Sequence, residues 1–327
     1  MKDFVRWGIL GPGKIAHSFA KDLSLVEGGK LVAVASRNQA RAKEFADLYG
    51  AEHAFGSYGE LLSSDQVDVI YIATPHTGHS EWAVKAMEQG KHVLCEKPLG
   101  INMFQVKKMV EAAEKNKVFL MEAMWSRFNP AIQKAKELVD AGKIGSVAYL
   151  HADFAFYALD RDEEGRLLNP DLAGGSVLDI GIYPIFLAYL ILGMPKEIRA
   201  ISNFYQTGAE VQTSMIFNYP GAQAILYSGL TSTSEMKAEI SGSKGSIYLD
   251  PRWHEAHGLT LAVSDTQERH ELPTTGKGYA HEIAEVHACL QSGKLQSALW
   301  GHQQSIDLMQ LMDRVRNQAG IVFPFEQ

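Results

Sequence analysis

The sequence predicts an α/β protein: a doubly wound parallel-sheet domain over residues 1–123, then an α+β domain over residues 124–327 with a large, mainly antiparallel, open-faced sheet. Three observations predict this. Short runs rich in Val, Ile, Leu and Ala alternate with helical periodicity through the first 120 residues, the pattern of strands covered on both faces. A glycine-rich turn follows the first run. Beyond residue 123 the rhythm changes to strand patterns joined by tight, glycine-containing connections.

Taken in order, the strand runs of the first domain are Phe4–Leu10, Lys30–Ser36, Val67–Ala73, His92–Glu96 and Val118–Ala123, with helices at Gln39–Tyr49, Ser80–Gln89 and Met103–Asn116. An amphipathic helix at Ala131–Ala141 opens the second domain and leads into a long strand at Val147–Tyr157. A buried helix follows a polar loop, and then strands at Glu197–Gln206, Val211–Tyr219, Gln223–Thr231, Lys237–Gly242, Ser246–Asp250 and Leu259–Ser264. Tyr219-Pro220-Gly221 and Ser241-Gly242-Ser243-Lys244-Gly245 suit antiparallel hairpins. Helices at Ala280–Gln291 and Gln303–Asn317 come last.

Composition narrows the function classes. A chain of 327 residues suits about two domains at ~150 residues each. With 46% hydrophobic and 21% charged residues it is neither disordered nor collagen-like. Lys plus Arg number 31 against 38 acidic residues, and this net charge of −7 disfavours a nucleic-acid partner. Two cysteines, Cys95 and Cys289, make no disulfide framework and point to a reducing, cytoplasmic setting. The first residues lack a signal-peptide apolar region. Ile180–Gly193 carries no charge but falls short of the ~20 residues of a membrane span, so no membrane partner is expected.

Gly11-Pro12-Gly13-Lys14-Ile15-Ala16 fits G-x-G-x-x-G/A at the end of the first strand, the fingerprint of a Rossmann domain. Gly11 permits the tight turn, Gly13 lets the backbone approach a pyrophosphate, and Ala16 lets the helix pack on the strand. A plain strand–helix turn is the competing reading. The same residues nearly spell a P-loop, but Ile15 has no hydroxyl for Mg²⁺. The second strand ends at Ser36-Arg37, with Arg41 one turn on, where NAD-preferring sites carry an acidic residue. A hydroxyl and two guanidinium groups suit a 2′-phosphate, so NADP(H) is expected over NAD(H), unless both arginines are merely solvated.

The fourth strand ends at Thr74-Pro75-His76 and the fifth at Cys95-Glu96-Lys97-Pro98, at the carboxyl ends where such sheets bind ligands. Lys97 is either functional or a surface partner of Glu96, and the bond to Pro98 is open to the cis form. In the second domain Asp179 and Tyr183 stand four apart in an apolar segment, on one face if the segment is helical. A capping aspartate and a core phenol remain the structural alternative.

Gly11-x-Gly13-x-x-Ala16, Glu96-Lys97-Pro98, and Gly174-Gly175 with Asp179-Ile180-Gly181-Ile182-Tyr183 together resemble the glucose–fructose oxidoreductase/inositol dehydrogenase/rhizopine catabolism family. The resemblance continues through Glu122–Phe128 and Tyr279–Val286 and covers nearly the whole chain. Trp125-x-Arg127-Phe128 and Tyr183 resemble its dihydrodiol and NADP-dependent D-xylose dehydrogenases; many relatives, inositol dehydrogenases among them, carry histidine in place of Tyr183. The resemblance implies hydride transfer between nicotinamide C4 and a carbinol carbon of a sugar, polyol or cyclic diol. It makes Tyr183 the acid/base, places Lys97 near the nicotinamide ribose and the substrate hydroxyl, and has Asp179 fix the constellation. Cofactor contacts are expected from Gly11, Gly13, Lys14, Ile15, Ser36, Arg37, Arg41, Thr74, His76, His79, Glu96 and Lys97. Trp125, Arg127, Phe154 and Trp253 are candidates for the substrate wall, with core packing as the competing reading for each.

No metal is expected. His281 and His287 are six apart, on different helix faces, and His254 and His257 lack a third ligand nearby in sequence. Cys95 reads as a buried, inert thiol. Two other classes share these motifs: a non-catalytic NAD(P)-binding sensor, and an enzyme using held NAD for glycoside cleavage. Strand segments Met215–Phe217 and Ala224–Tyr227 are apolar on both faces, which predicts a homodimer through the open face of the sheet.

Overall fold

The computed structural model describes residues 4–326. A six-stranded sheet forms from β1 (Val5–Leu10), β2 (Gly29–Ala35), β3 (His53–Phe55), β4 (Val69–Ile72), β5 (His92–Glu96) and β6 (Leu120–Ala123). All neighbours are parallel, in the order β3-β2-β1-β4-β5-β6. The crossovers carry α1 (Lys14–Leu23), α2 (Gln39–Tyr49), α3 (Tyr58–Ser63), α4 (His79–Glu88) and α5 (Met103–Asn116). Asn38 and Asn102 start α2 and α5 by accepting the N–H groups of Arg41 and Gln105. The strand order reverses between β1 and β4, which opens the ligand crevice of a Rossmann domain at their carboxyl ends. The sequence pattern missed β3 and α3, because three and six residues are too few to show a period.

The second sheet has eight strands: β7 (Val147–Ala155), β8 (Glu197–Phe204), β9 (Glu210–Tyr219), β10 (Ala222–Gly229), β11 (Ala238–Gly242), β12 (Gly245–Leu249), β13 (Gly258–Val263) and β14 (Thr266–Glu271). Their order is β14-β13-β12-β11-β7-β10-β9-β8, antiparallel throughout except for β7 beside β10. Both expected hairpins form, and Tyr219 pairs with Ala222 across Pro220-Gly221. The charged, exposed strand β14 escaped the sequence pattern. Its charges suit an edge that must not pair further.

Helix α6 (Pro130–Asp140) packs on β12 and β13, and α7 (Ile182–Leu192) on β7 and β10. Every residue of α7 from Ile182 to Ala188 is buried, and each of its large apolar side chains contributes about 1.5–3 kcal/mol on leaving water. No helix among the described residues is long and apolar enough to cross a membrane. The face opposite α7 exposes Ile201, Ile216, Ile225 and Tyr248, with Ile216 and Ile225 directly paired across β9 and β10.

The expected division at residue 123 changes in one respect. The chain forms one compact unit from residues up to Trp125 with Thr275–Ile306, and another from Ser126–Thr274 with the residues from Asp307 onward. Helix α8 (Tyr279–Gln291) therefore belongs with the Rossmann sheet, and α9 (His302–Ala319) starts in the first unit and continues in the second. The reason is a cap supplied from afar. The buried Asp22 carboxylate of α1 accepts the N–H groups of Lys277, Gly278 and Ala280 at 2.9–3.2 Å, where α8 has no side-chain cap of its own.

Candidate active site

The glycine turn is built as its spacing predicts. Gly11 has φ of +91°, and a Cβ there would lie 3.1 Å from the Ala73 carbonyl at the exit of β4. A Cβ at Gly13 would meet a single atom, at 4.0 Å, so backbone and open space stand together at this point. Ala16 is buried, while Lys14 and Ile15 are exposed. Helix α1 begins at Gly13 without a side-chain cap, and its first N–H groups and dipole face outward as an anion site. Thr74 Oγ1 is buried and has no hydrogen-bond partner among the described residues. An orphaned hydroxyl, an uncapped helix start and an open glycine cradle fit a dinucleotide pyrophosphate in the crevice.

At the end of β2, Ser36 is buried while Arg37, in the turn before α2, and Arg41, on its first turn, are exposed. The Ser36 hydroxyl accepts the Asn38 N–H at 3.2 Å, and the residues Ser36–Arg41 that follow β2 include no carboxylate.

Two expected cofactor contacts are placed otherwise. His79 is buried, with Nδ1 2.8 Å from the Pro98 carbonyl and Nε2 3.0 Å from that of Thr74. Burial lowers its pKa, and the neutral ring has a single N–H to donate, so it bonds one of these two carbonyls. Its ring stands edge-on to His76, which occupies the turn His76–Gly78. Glu96 is also buried: Tyr71 donates its hydroxyl to Oε1 in a short hydrogen bond, and the Lys97 N–H donates to Oε2 at 3.3 Å. Lys97 itself is half-buried at the end of β5, and the bond to Pro98 is cis. Glu122 anchors the next residue by accepting the Leu99 N–H at 2.8 Å, with Trp300 Nε1 and Ser305 Oγ as its other donors.

Glu282 of α8 presents the opposite case. It is fully buried, and neither carboxylate oxygen has a hydrogen-bond partner among the described residues. Burial, then the nearby charges of Glu96 and Asp22, push its pKa well above the ordinary carboxyl range. A raised carboxyl pKa means that the folded state holds the proton more tightly than the unfolded chain. Stability is then lost as pH rises from the ordinary carboxyl range toward the folded value. Glu282→Gln, which carries no proton to lose, is expected to melt progressively higher than the parent as pH rises from 5 to 8. Parallel Tm–pH curves for the two proteins would contradict this.

In the second unit the apolar segment is not one uniform helix. Val177–Gly181 forms a π turn, and α7 starts only at Ile182. A π turn is wider than an α turn, so the four-residue spacing of Asp179 and Tyr183 does not set them on one α-helical face. Asp179 is buried and pairs with Arg166, whose Nη1 lies 2.6 Å from Oδ1. Tyr183 is buried beside Phe154, with ring centroids 5.4 Å apart, and beside His254 at 5.3 Å. Phe154 and His254 stack on each other at 4.2 Å.

The four wall candidates separate. Phe154 stands at Tyr183, as just described. Trp253 is completely buried and donates its indole N–H to the Asp153 carbonyl at 2.9 Å, so it is a core residue and His254 takes the place beside Tyr183. Trp125 is buried and stacks on Tyr279 at 4.9 Å, and Arg127 is half-buried on the turn Trp125–Phe128. Sequence reasoning missed Arg166 and weighed His254 only as a metal ligand. An arginine in a polar loop and a lone histidine carry no local signal of their three-dimensional partners.

Residues 5–124 match an oxidoreductase family model with an NAD-binding Rossmann fold, and residues 132–248 match the GFO/IDH/MocA C-terminal domain. D-xylose 1-dehydrogenase (NADP(+)) of Hypocrea jecorina is 35% identical, over 98% of this chain and 93% of its own. Trans-1,2-dihydrobenzene-1,2-diol dehydrogenase of Mus musculus is 34% identical over 98% of both. A 3-ketoreductase from Actinomadura kijaniata, solved with NADP and TDP-benzene, superimposes with a TM-score of 0.88 at 27% identity, covering 97% of this chain and 98% of its own. Fold and site together define an NAD(P)-dependent oxidoreductase acting on CH–OH groups. The chain belongs to the GFO/IDH/MocA family, the one its motifs resemble.

Proposed function

We propose that this protein is an NADP(H)-dependent oxidoreductase of sugars, polyols or cyclic diols, with Tyr183 as acid/base and Lys97 assisting. One observation carries the reading. Arg166 at 2.6 Å holds Asp179 as a paired carboxylate, which leaves Tyr183, among Phe154 and His254, to carry the proton. Bound NADP(H) supplies or accepts the hydride at nicotinamide C4. The Tyr183 hydroxyl donates its proton to the carbonyl oxygen in reduction and recovers it from the carbinol in oxidation. An ordinary phenol titrates near ~10, so the oxidative direction needs a cation at the phenolate, and the reading requires the Lys97 ammonium to reach the same substrate oxygen. Asp179, pinned by Arg166, orients the substrate without exchanging protons.

The NADP preference rests on Ser36, Arg37 and Arg41, and on the NADP(+) named for the xylose dehydrogenase relative. Fluorescence titration is expected to show tighter binding of NADPH than of NADH. Arg37→Ala removes a charge-assisted hydrogen bond worth about 1.5–3 kcal/mol, and so is expected to weaken NADPH by ~10–100-fold while sparing NADH. Equal affinities, or an equal loss for both, would overturn the phosphate assignment. Turnover of D-xylose and of trans-1,2-diols with NADP⁺ tests the substrate class.

The homodimer is part of the same reading. Exposed Ile201, Ile216, Ile225 and Tyr248 on one sheet face support it, since a patch of this kind favours burial against a second copy. Light scattering at micromolar concentration is expected to return twice the chain mass. A monomer mass would remove the dimer and leave the chemistry standing.

A further inference from the structure

Gly174-Gly175-Ser176 and Gly181 flank the π turn that carries Asp179, and one buried carboxylate lies behind all of them. Glu210 opens β9 and is 2% exposed. Its Oε1 accepts the Ser176 hydroxyl at 2.7 Å and the Thr213 hydroxyl at 2.7 Å, and its Oε2 accepts the Val177 N–H at 2.9 Å. No cation pairs with it among the described residues. A carboxylate only accepts, which fixes the direction of the network. Ser176 donates to Glu210, so Ser228, at 2.8 Å, donates to Ser176. Thr213 donates to Glu210, so Ser202, at 2.6 Å, donates to Thr213.

The chain passes this network at close quarters. Gly175 has φ of +133°, and a Cβ there would lie 3.0 Å from the Glu210 carbonyl and 3.2 Å from its Oε2. A Cβ on Gly181 would lie 2.9 Å from the Ser228 hydroxyl. Both ends of Val177–Gly181 are thereby pressed against residues of one hydrogen-bonded group, and the first N–H of the turn is bound directly by Glu210.

We propose that Glu210 is a positioning residue. It sets the phase of the π turn, and so places Asp179 against Arg166 and starts α7 with Tyr183 where the reaction needs it. The proposal rests on the reading of Tyr183 as acid/base. Its physical content is that the Val177 N–H and two hydroxyls converge on this carboxylate. An amide can keep that arrangement, with its oxygen on the Val177 N–H and its NH₂ on the two hydroxyls, which accept as readily as they donate. An apolar side chain cannot, because the Val177 N–H then loses its acceptor; a buried donor does not stay unpaired without cost, so the turn rearranges and carries Asp179 with it.

The test is Glu210→Met in the full-length protein, with D-xylose and NADP⁺ as probes, Glu210→Gln as the conservative variant, and Thr213→Val, which removes one hydroxyl from Glu210 and the acceptor of Ser202, as the milder one. Misplacement of a catalytic group by about 1 Å costs ~100-fold, so Glu210→Met is expected to lower kcat by ~10–100-fold and Glu210→Gln to restore most of it. The deuterium isotope effect with D-xylose labelled at C1 is expected to rise in Glu210→Met, with NADPH affinity unchanged, and Thr213→Val is expected to show the same pattern, weaker. A crystal structure of Glu210→Met is expected to show the π turn altered and the Asp179–Arg166 pair broken. An unchanged kcat and isotope effect per folded molecule, with only Tm lowered, would overturn the proposal, as would a variant structure with turn and pair intact. If the parent protein turns over neither D-xylose nor a trans-diol, the catalytic reading falls, and the variant structures still decide what Glu210 holds. If Glu210→Met fails to fold, the isotope effect and crystal structure of Thr213→Val decide in its place.

Discussion

Tyr183→Phe is expected to lower kcat by ~10²–10⁴-fold, the range that general acid–base catalysis supplies, and to leave NADPH binding within a factor of about two. The substitution removes one oxygen and keeps the ring, so packing against Phe154 and His254 survives. Steady-state kinetics with D-xylose and NADP⁺ measure the loss, and the fluorescence titration measures the binding. The pH profile gives a second readout. A proton-transfer group leaves an ionisation in kcat that the phenylalanine variant lacks. A variant with more than a tenth of the parental kcat would show that another group carries the proton, with His254, the titratable ring beside Tyr183, as the first to test.

Lys97→Met is expected to lower kcat/KM by ~10²–10³-fold, the loss seen when one donor to a developing oxyanion is removed. Methionine keeps most of the side-chain length without charge. The turn around the residue is held by Glu96, Glu122 and His79, and so is expected to persist. Oxidation suffers more than reduction, because the phenolate form of Tyr183 needs the cation and the phenol does not. Rates in both directions check this. Equal losses would make Lys97 a binding group only.

Within the first unit, most elements up to Trp125 were legible in the sequence, while β3, α3 and the membership of α8 were not. Fully buried strands read as continuous apolar runs, and β5, α2 and α5 fall at the expected residues. The glycine turn was legible because the demand on it is local: a positive φ at Gly11 and an open approach at Gly13 belong to single residues. The resemblance points to Lys97, Asp179 and Tyr183, and no sequence pattern marks their spatial neighbours. Of the two readings open for Trp253, substrate wall or core, the structure gives core: its indole N–H is satisfied inside by the Asp153 carbonyl, and no sequence pattern marks that partner.

By itself, then, the amino-acid sequence determined what depends on near neighbours along the chain: the periodicities that define two layers of structure, the phosphate loop, the basic end of β2 and the change of rhythm after residue 123. Only the tertiary structure decided what depends on groups far apart in sequence. It returned α8 to the Rossmann sheet because Asp22 caps it from 255–258 residues away. It has a π turn where an α-helical face was expected, and the first N–H of that turn is bound by Glu210, 33 residues on. It buried the Glu282 carboxyl with no hydrogen-bond partner among the described residues. The physical reason is common to all three. A hydrogen bond, or the lack of one, acts over about 3 Å in space, whatever the separation in sequence.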